Sequence, residues 1–465
     1  MVQSDGAAWY NLMFIPLWLV PQLHDRPFAV VFLNFVDRCL QSFELSGINS
    51  LGPASLCCFF SHNVVFFVNI CGLCRISYKD IKIAAIKNEN LIKFANAPEF
   101  VAGLIATYQI MKKKLLGKNP LELKQIALEC GLPSYAGGQI AQWLYKKKVR
   151  TVDEMTNLSK AGRAKLSENY ETGAVAYTDC RVSSDGTRKY LFPVTCALSS
   201  GLWAAESEEQ CRMETSCVES VMIPELDRKT LCVSSQAGCK MGCRFCMTGR
   251  QGFHGNLSPA DILAQFVSVD ETDSLTGTVF MGMGEPLDNY ENVLKAIEVL
   301  TADWGFGWSP KRITLSSIGV LPSLRRFLDE TRCHLAISMH NPFPDERADI
   351  MPVQKAYDIR DVVSLIKKYD FTGQRRVSFE YTMFSGYNDD KRHADAIIRL
   401  LSGLECRVNL IRFHRIPDFP YETSPDGIME IFRDRLSRAG ITATIRASRG
   451  EDIFAACGML AGKHS

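Results

Sequence analysis

Gly238-Cys239-Lys240-Met241-Gly242-Cys243-Arg244-Phe245-Cys246 follows closely on the apolar run Thr230, Leu231, Cys232 and Val233. Three cysteines at C-x3-C-x2-C spacing therefore lie in a glycine-containing loop just beyond a predicted strand. Thiolates are the soft ligands that iron-sulfur clusters select, and four of them normally close a cubane site. Cys239, Cys243 and Cys246 can supply three corners of a [4Fe-4S] cluster, leaving the fourth iron without a protein ligand. An open iron of this kind can hold the amino and carboxylate groups of S-adenosylmethionine and pass an electron to its sulfonium. The competing readings are a zinc knuckle or three buried core cysteines. Zinc sites usually show paired C-x2-C or C-x2-C/H-x3-H groups, and no second pair with such spacing follows.

Outward from this loop, strand and helix patterns alternate. Apolar runs at 230–233, 278–281, 312–315, 335–338, 376–381, 407–411 and 442–445 read as strands. Helical patterns lie between them, including 258–269, 289–300, 359–368, 394–401 and 428–436. Ser258-Pro259-Ala260-Asp261 starts one of these with a serine cap and a proline at the first helical position. Strands separated by helices imply parallel pairing, and about six such units form an α/β partial (β/α)6 barrel. Ligands of such sheets sit at the carboxyl ends of the strands. The cysteine loop lies there, and so do the other candidates. In Gly282-Met283-Gly284-Glu285-Pro286 the glycines let backbone approach a ligand, and the Glu285 carboxylate can bond an ammonium. Ser316, then Ser338, Met339 and His340, end the third and fourth strands and can hold a ribose or a carboxylate. His414 follows the sixth strand and can face an adenine. Taken singly, a GxGE turn is ordinary and a lone histidine is most often structural. Cys232 on the first strand, and Cys457 among small residues near the C-terminus, read either as reactive thiols or as core cysteines.

Composition bounds the rest. The chain has 465 residues, 46% of them hydrophobic, with 17 cysteines and a formal charge of +2. That length suits about two or three domains. The cysteines are too irregularly spaced for a small disulfide scaffold and point to a reducing, cytoplasmic setting. Residues 111–165 carry 12 Lys/Arg against 4 Asp/Glu, and residues 1–110 carry 7 of each. The basic stretch 111–170 has helical spacing and suits capture of a phosphate backbone, although a solvated basic face would look similar. Residues 171–227 read as a small β-hairpin linker region with a turn at 183–187 and a Ser-, Glu- and Cys-rich insertion, 195–217, expected as a surface loop. Residues 228–465 form the expected catalytic domain. Residues 1–110 hold apolar clusters at 28–35 and 59–68 without metal or nucleotide motifs. Their apolar stretch near 12–20 is interrupted by Pro16 and lacks a basic start, so a secretory signal is not expected. The stretch 57–74 is too broken for a membrane helix. The abrupt change at Met111-Lys112-Lys113-Lys114 suggests an extension upstream of the natural opening of the protein.

Residues 119–463 resemble the RlmN-type radical-SAM RNA methyltransferases. The resemblance rests on Val218-Glu219-Ser220-Val221-Met222-Ile223-Pro224, residues 230–236, the cysteine loop, Gln251-Gly252-Phe253, Gly282 to Pro286, Gly305-Phe306-Gly307, Arg449-Gly450 and residues 455–462. It implies a [4Fe-4S] cluster on Cys239, Cys243 and Cys246. Gly284, Glu285, Ser316, Ser338, Met339, His340 and His414 would bind S-adenosylmethionine, consumed twice per turnover. It further implies Cys457 as the methyl-carrying nucleophile, Glu219 as proton acceptor and Cys232 as the resolving thiol in a transient disulfide. The implied substrates are adenine 2503 of 23S rRNA and adenine 37 of tRNAs, methylated at C2 through a protein-RNA crosslink. An electron donor such as flavodoxin and a monomeric protein without a membrane partner are expected. His414 stands where many members have asparagine, which alters that ligand chemically. Residues 1–110 and 195–217 fall outside the pattern. A Cfr-type C8 methyltransferase shares the cluster and thiols, and a non-catalytic RNA-binding iron-sulfur protein is the alternative of another class.

Overall fold

The computed structural model describes residues 112–198 and 212–461, apart from 372 and 374, together with four strands nearer the N-terminus. Those four strands, Ser55–Ser61, Val64–Ile70, Ile81–Lys87 and Asn90–Lys93, pair antiparallel in sequence order. Within the broken apolar stretch 57–74, residues 57–61 and 64–70 are therefore paired strand, and no described helix is long and apolar enough to cross a membrane. The expected cluster at 28–35 lies outside the described residues. The chain divides into two compact units, Met1–Lys112 and Lys113–Ser465.

The second unit opens with helices α1 (Pro120–Glu129), α2 (Ala136–Ala141) and α3 (Lys160–Asn169). Asn119 and Glu122 form a reciprocal capping box at the start of α1, satisfying amides that the first helical turn leaves without partners. α2 continues as a π-helical turn, Gln142–Lys146. Leu123, Ile140, Leu144 and Leu166 are buried between these helices. The basic run at 112–114 divides here: Lys114 Nζ pairs with Asp261 at 2.6 Å, and Lys112 and Lys113 are exposed. Similarly Lys148 donates to Thr272 O at 2.5 Å and pairs with Asp273 at 3.1 Å, leaving Lys146 and Lys147 exposed. Part of the predicted basic face thus fastens the helical module to the rest of the unit.

The sheet begins with β1 (Asp179–Val182), β2 (Arg188–Leu198), β3 (Arg212–Glu225) and β4 (Arg228–Cys232), each antiparallel to the next. Two expectations are corrected. Residues 171–227 are not a linker, because β2 and β3 are integral strands of the main sheet. The insertion 195–217 is strand at both ends, with Thr195 opposite Thr215 and Leu198 opposite Arg212. Alternation across a two-sided hairpin accommodates its polar residues, which composition alone read as loop. β5 (Gln236–Gly238) and β6 (Phe253–Asn256) bracket the cysteine loop as an antiparallel pair.

From β4 onward the winding is parallel. α4 (Pro259–Ser268), β7 (Gly277–Phe280), α5 (Tyr290–Thr301), β8 (Ile313–Ser317), α6 (Leu321–Glu330) and β9 (His334–Ser338) follow in turn. α7 (Pro344–Ile350), α8 (Ile359–Ile366), β10 (Val377–Met383), α9 (Lys391–Leu401), β11 (Arg407–Arg412), α10 (Asp426–Arg438) and β12 (Thr442–Ile445) complete it. Sheet order is β5-β6-β2-β3-β4-β7-β8-β9-β10-β11-β12, and the path does not close. Leu231, Phe280, Leu315, Ile337, Phe379 and Leu410 form the buried sheet interior, while the helices cover the sheet with Ile262, Val293, Leu324, Val362, Ile397 and Phe432. This is the partial α/β barrel expected from the sequence, and it gathers the carboxyl ends of seven parallel strands at one rim.

Candidate active site

The cysteine loop owes its path to three glycines. Gly238 has φ +74°, and a Cβ there would lie 2.0 Å from Gly252 O, the carbonyl that accepts the Cys239 amide at 2.8 Å. Gly242, at φ +65°, turns the chain in open space, and a Cβ on Gly249 would press within 3.1 Å of the Cys243 backbone. All three thiols are free and half-buried. Burial pushes Cys239 up to about 12 and Cys243 well above its ordinary value, with the charge of Cys246 adding to both. Neighbouring thiols that repel each other as thiolates suit a cationic group, which would reverse that penalty. Among the described residues, no three His, Cys, Asp or Glu side chains converge on a single ion. A cubane asks for something else, since each thiol binds a different iron. The donor set and its glycine-lined loop fit the cluster.

The strand ends beside this loop carry the remaining sequence candidates. Gly284 has φ +96°, and a Cβ there would meet Gln236 Cβ at 2.5 Å. Gln236 Oε1 accepts the Glu285 amide at 2.9 Å, while its Nε2 donates to Asp288 at 2.7 Å and Asn256 at 2.8 Å. The buried Glu285 carboxylate accepts Leu287 N at 3.1 Å and Ile318 N at 3.0 Å, so backbone amides fix its direction and leave further lone pairs. Burial raises it to about 7. Ser316 and Ser338 are half-buried. Met339 is fully buried and offers packing and backbone: its carbonyl accepts Arg347 Nε at 3.0 Å. His340 adopts φ +54°, its Nδ1 accepts Thr382 N at 3.0 Å, and its ring stands edge-on to Phe245 of the cysteine loop at 4.9 Å. His414 is buried, with Nδ1 3.3 Å from Glu451, which ties it to the C-terminal segment.

That segment brings Cys457 to the same rim. The Met247 amide donates to Gly458 O at 2.8 Å, and Thr248 Oγ1 donates to Leu460 O at 2.7 Å. A Cβ on Gly458 would lie 3.2 Å from Phe245 O, so the segment packs directly on the cysteine loop. Cys457 keeps exposed surface, yet burial raises its thiol; Arg446 opposes that shift, and the charges of Glu380 and Cys246 add to it. Cys232, at the end of β4, is buried and pushed up to about 12, first by burial and then by Cys457. Both are free thiols, so no disulfide joins them in this state. Glu219 reaches the segment from β3, its Oε2 accepting Ala461 N at 2.8 Å. Its Oε1 pairs with buried Lys189 at 3.0 Å. The structure therefore brings the cysteine loop, Cys232, Cys457 and Glu219 to one rim.

Sequence reasoning missed Gln236, Lys189, Arg347 and Glu380. Arg347 is fully buried and donates to the carbonyls of Met339, Ser338 and Ile318, clasping two strand ends. Glu380 is buried, with Oε1 bonded to Ser378 and Asn409 while Oε2 lies 3.8 Å from Arg446. Their contacts follow from the fold and not from a local motif, and only Gln236 carried a signal, by standing inside a motif already quoted.

A partial parallel barrel with a three-cysteine loop after its first parallel strand, and a Gly-Glu turn after the second, defines a radical-SAM enzyme. Residues 233–397 match the Radical SAM superfamily, and residues 113–172 match the ribosomal RNA large subunit methyltransferase N-terminal domain. A probable dual-specificity RNA methyltransferase RlmN of Porphyromonas gingivalis strain W83 is 55% identical over 346 residues, covering 74% of this chain and 96% of that protein. The dual-specificity RNA methyltransferase RlmN of Syntrophus aciditrophicus is 39% identical over 346 residues, covering 74% and 94%. A crystal structure of a radical SAM methyltransferase from Sphaerobacter thermophilus superposes with a TM-score of 0.68 at 33% identity, covering 76% of this chain and all of that one. The chain belongs to the RlmN family of radical-SAM RNA methyltransferases.

Proposed function

We propose that this chain methylates C2 of adenine in RNA, at adenine 2503 of 23S rRNA and adenine 37 of tRNAs. Cys457 takes a methyl group from one S-adenosylmethionine by displacement at carbon, because a thiolate is a far better nucleophile than electron-poor adenine C2. A cluster on Cys239, Cys243 and Cys246 would supply the electron that cleaves a second S-adenosylmethionine, whose deoxyadenosyl radical removes one hydrogen from the Cys457 methyl group. The carbon on Cys457 then adds to C2, giving a protein-RNA crosslink whose unpaired electron would return to the cluster. Glu219 accepts the C2 proton. Cys232 attacks the Cys457 sulfur, the S–C bond breaks with its electron pair going to carbon, and that carbon takes up a proton to become the methyl group, leaving a disulfide for reduction. Both thiols are raised at rest and need deprotonation before they attack. The adenine must be unstacked to reach the rim, which suits loops over regular helix. A flavodoxin-like donor and a monomeric cytoplasmic protein complete the reading.

What supports this reading most is the convergence of Glu219, Cys232 and Cys457 beside the cysteine loop. A protein that only bound RNA would need none of the three. The test is anaerobic incubation with S-adenosylmethionine, a reductant and each RNA, followed by nucleoside analysis. 2-Methyladenosine in both RNAs is expected. 8-Methyladenosine would reassign the chain to Cfr-type chemistry, and RNA binding without 5′-deoxyadenosine would leave only a binding protein.

A further inference from the structure

Lys189 lies on β2 opposite Val221, while Glu219 on β3 is opposite Leu191, so the two are diagonal neighbours across the antiparallel pair. Both side chains are more than nine-tenths buried, and their charges meet at 3.0 Å. The same ammonium donates to Phe454 O at 3.2 Å, three residues before Cys457. The partner carboxylate accepts Ala461 N at 2.8 Å, four residues after it. One buried ion pair thus grips the Cys457 segment on both sides. The β1-β2 turn holds the chain further upstream, where Asp452 accepts Ser183 Oγ at 2.5 Å and Ser184 N at 3.0 Å.

We propose that Lys189 is a positioning residue that locks Glu219 and the Cys457 segment into one unit, and that a proton arriving on Glu219 loosens it. The second half rests on Glu219 as proton acceptor. When C2 gives up its proton, the C–H bond breaks, its electron pair stays with the base, and an O–H bond forms on Glu219. Neutral Glu219 no longer attracts the Lys189 ammonium, and its bond to Ala461 N weakens with the lost charge. The segment gains freedom at the stage when Cys232 must reach the Cys457 sulfur. Proton transfer and thiol exchange are thereby coupled through one ion pair.

Hydrogen-deuterium exchange on the full, cluster-loaded chain, without RNA, tests this. Lys189→Met, and Glu219→Gln as a neutral mimic of the protonated acid, should each speed exchange in residues 454–461 by roughly tenfold, as expected for local opening. Lys189→Arg should restore slow exchange, and peptides from α5 should not change in any variant. Wild-type exchange in both neutral variants, or an Arg variant as loose as the Met variant, would overturn the proposal. Loss of protection throughout Lys189→Met would report misfolding, and Glu219→Gln then decides alone. Because no RNA is present, failure here is separable from failure of the methylation reading.

Discussion

His340 concentrates several residue-scale constraints. Its positive φ, its bond from Thr382 N and its contact with Phe245 hold a neutral ring against the cysteine loop. Burial, helped by the Arg347 charge, lowers it to about 3. An unfolded chain would protonate this histidine near 6.5, so the contribution is complete above that pH. It is lost as pH falls from 6.5 towards 3, at up to about 1.4 kcal/mol per pH unit. Thermal melts of parent and His340→Gln from pH 7 to 4 should converge as the parent loses this contribution; parallel curves would contradict it. Cys243→Ala should lose both the brown iron-sulfur absorbance and 5′-deoxyadenosine formation, and full activity in that variant would reject the cluster assignment. The cysteines and the Gly284-Glu285 turn were legible because their chemistry belongs to residue type and short spacing. Lys189 and Arg347 were not, since their meaning lies in carbonyls and carboxylates that only the folded chain brings to them.

At the scale of elements, the parallel strands were readable because strands buried on both faces read as apolar, often β-branched runs, and their boundaries fell within two residues. The β2-β3 hairpin escaped because its polar stretch resembles loop composition, although Glu219 lies on β3. The basic helical module shows the opposite error. Lys114 and Lys148 hold the module to α4 and the turn after it, whereas Lys146 and Lys147 face outward, with Lys147 over the Trp143 ring at 3.5 Å. Replacing Lys146 and Lys147 together by alanine should weaken RNA binding and lower the salt slope by about 1 to 2. Cluster content and RNA-independent cleavage of S-adenosylmethionine should persist. Titrations at several salt concentrations would check this, and an unchanged slope would place the RNA elsewhere.

Across the whole molecule, the change of composition at Met111 coincides with the boundary between compact units at Lys112 and Lys113. A chain beginning at Met111 keeps the helical module, the sheet and every candidate site residue. It should fold, bind its cluster and methylate RNA within about threefold of the full chain, since every candidate site residue belongs to the second unit. A tenfold loss would give residues 1–110 a direct part in the reaction. The order of elements was legible because regular alternation leaves few topologies. The convergence of β3, β4 and the C-terminal segment was reached only through the family resemblance, because no local pattern specifies a meeting of residues more than two hundred positions apart.

In the proposed reaction Cys457 carries the transferred carbon and Cys232 releases it. Cys232→Ala should therefore load methyl, generate the radical and stall. Mass spectrometry of that variant after turnover with RNA and nuclease digestion should find an adenosine-containing adduct on Cys457 through a one-carbon bridge. Normal multiple turnover by Cys232→Ala, or an adduct on any other residue, would exclude this division of roles between the two thiols.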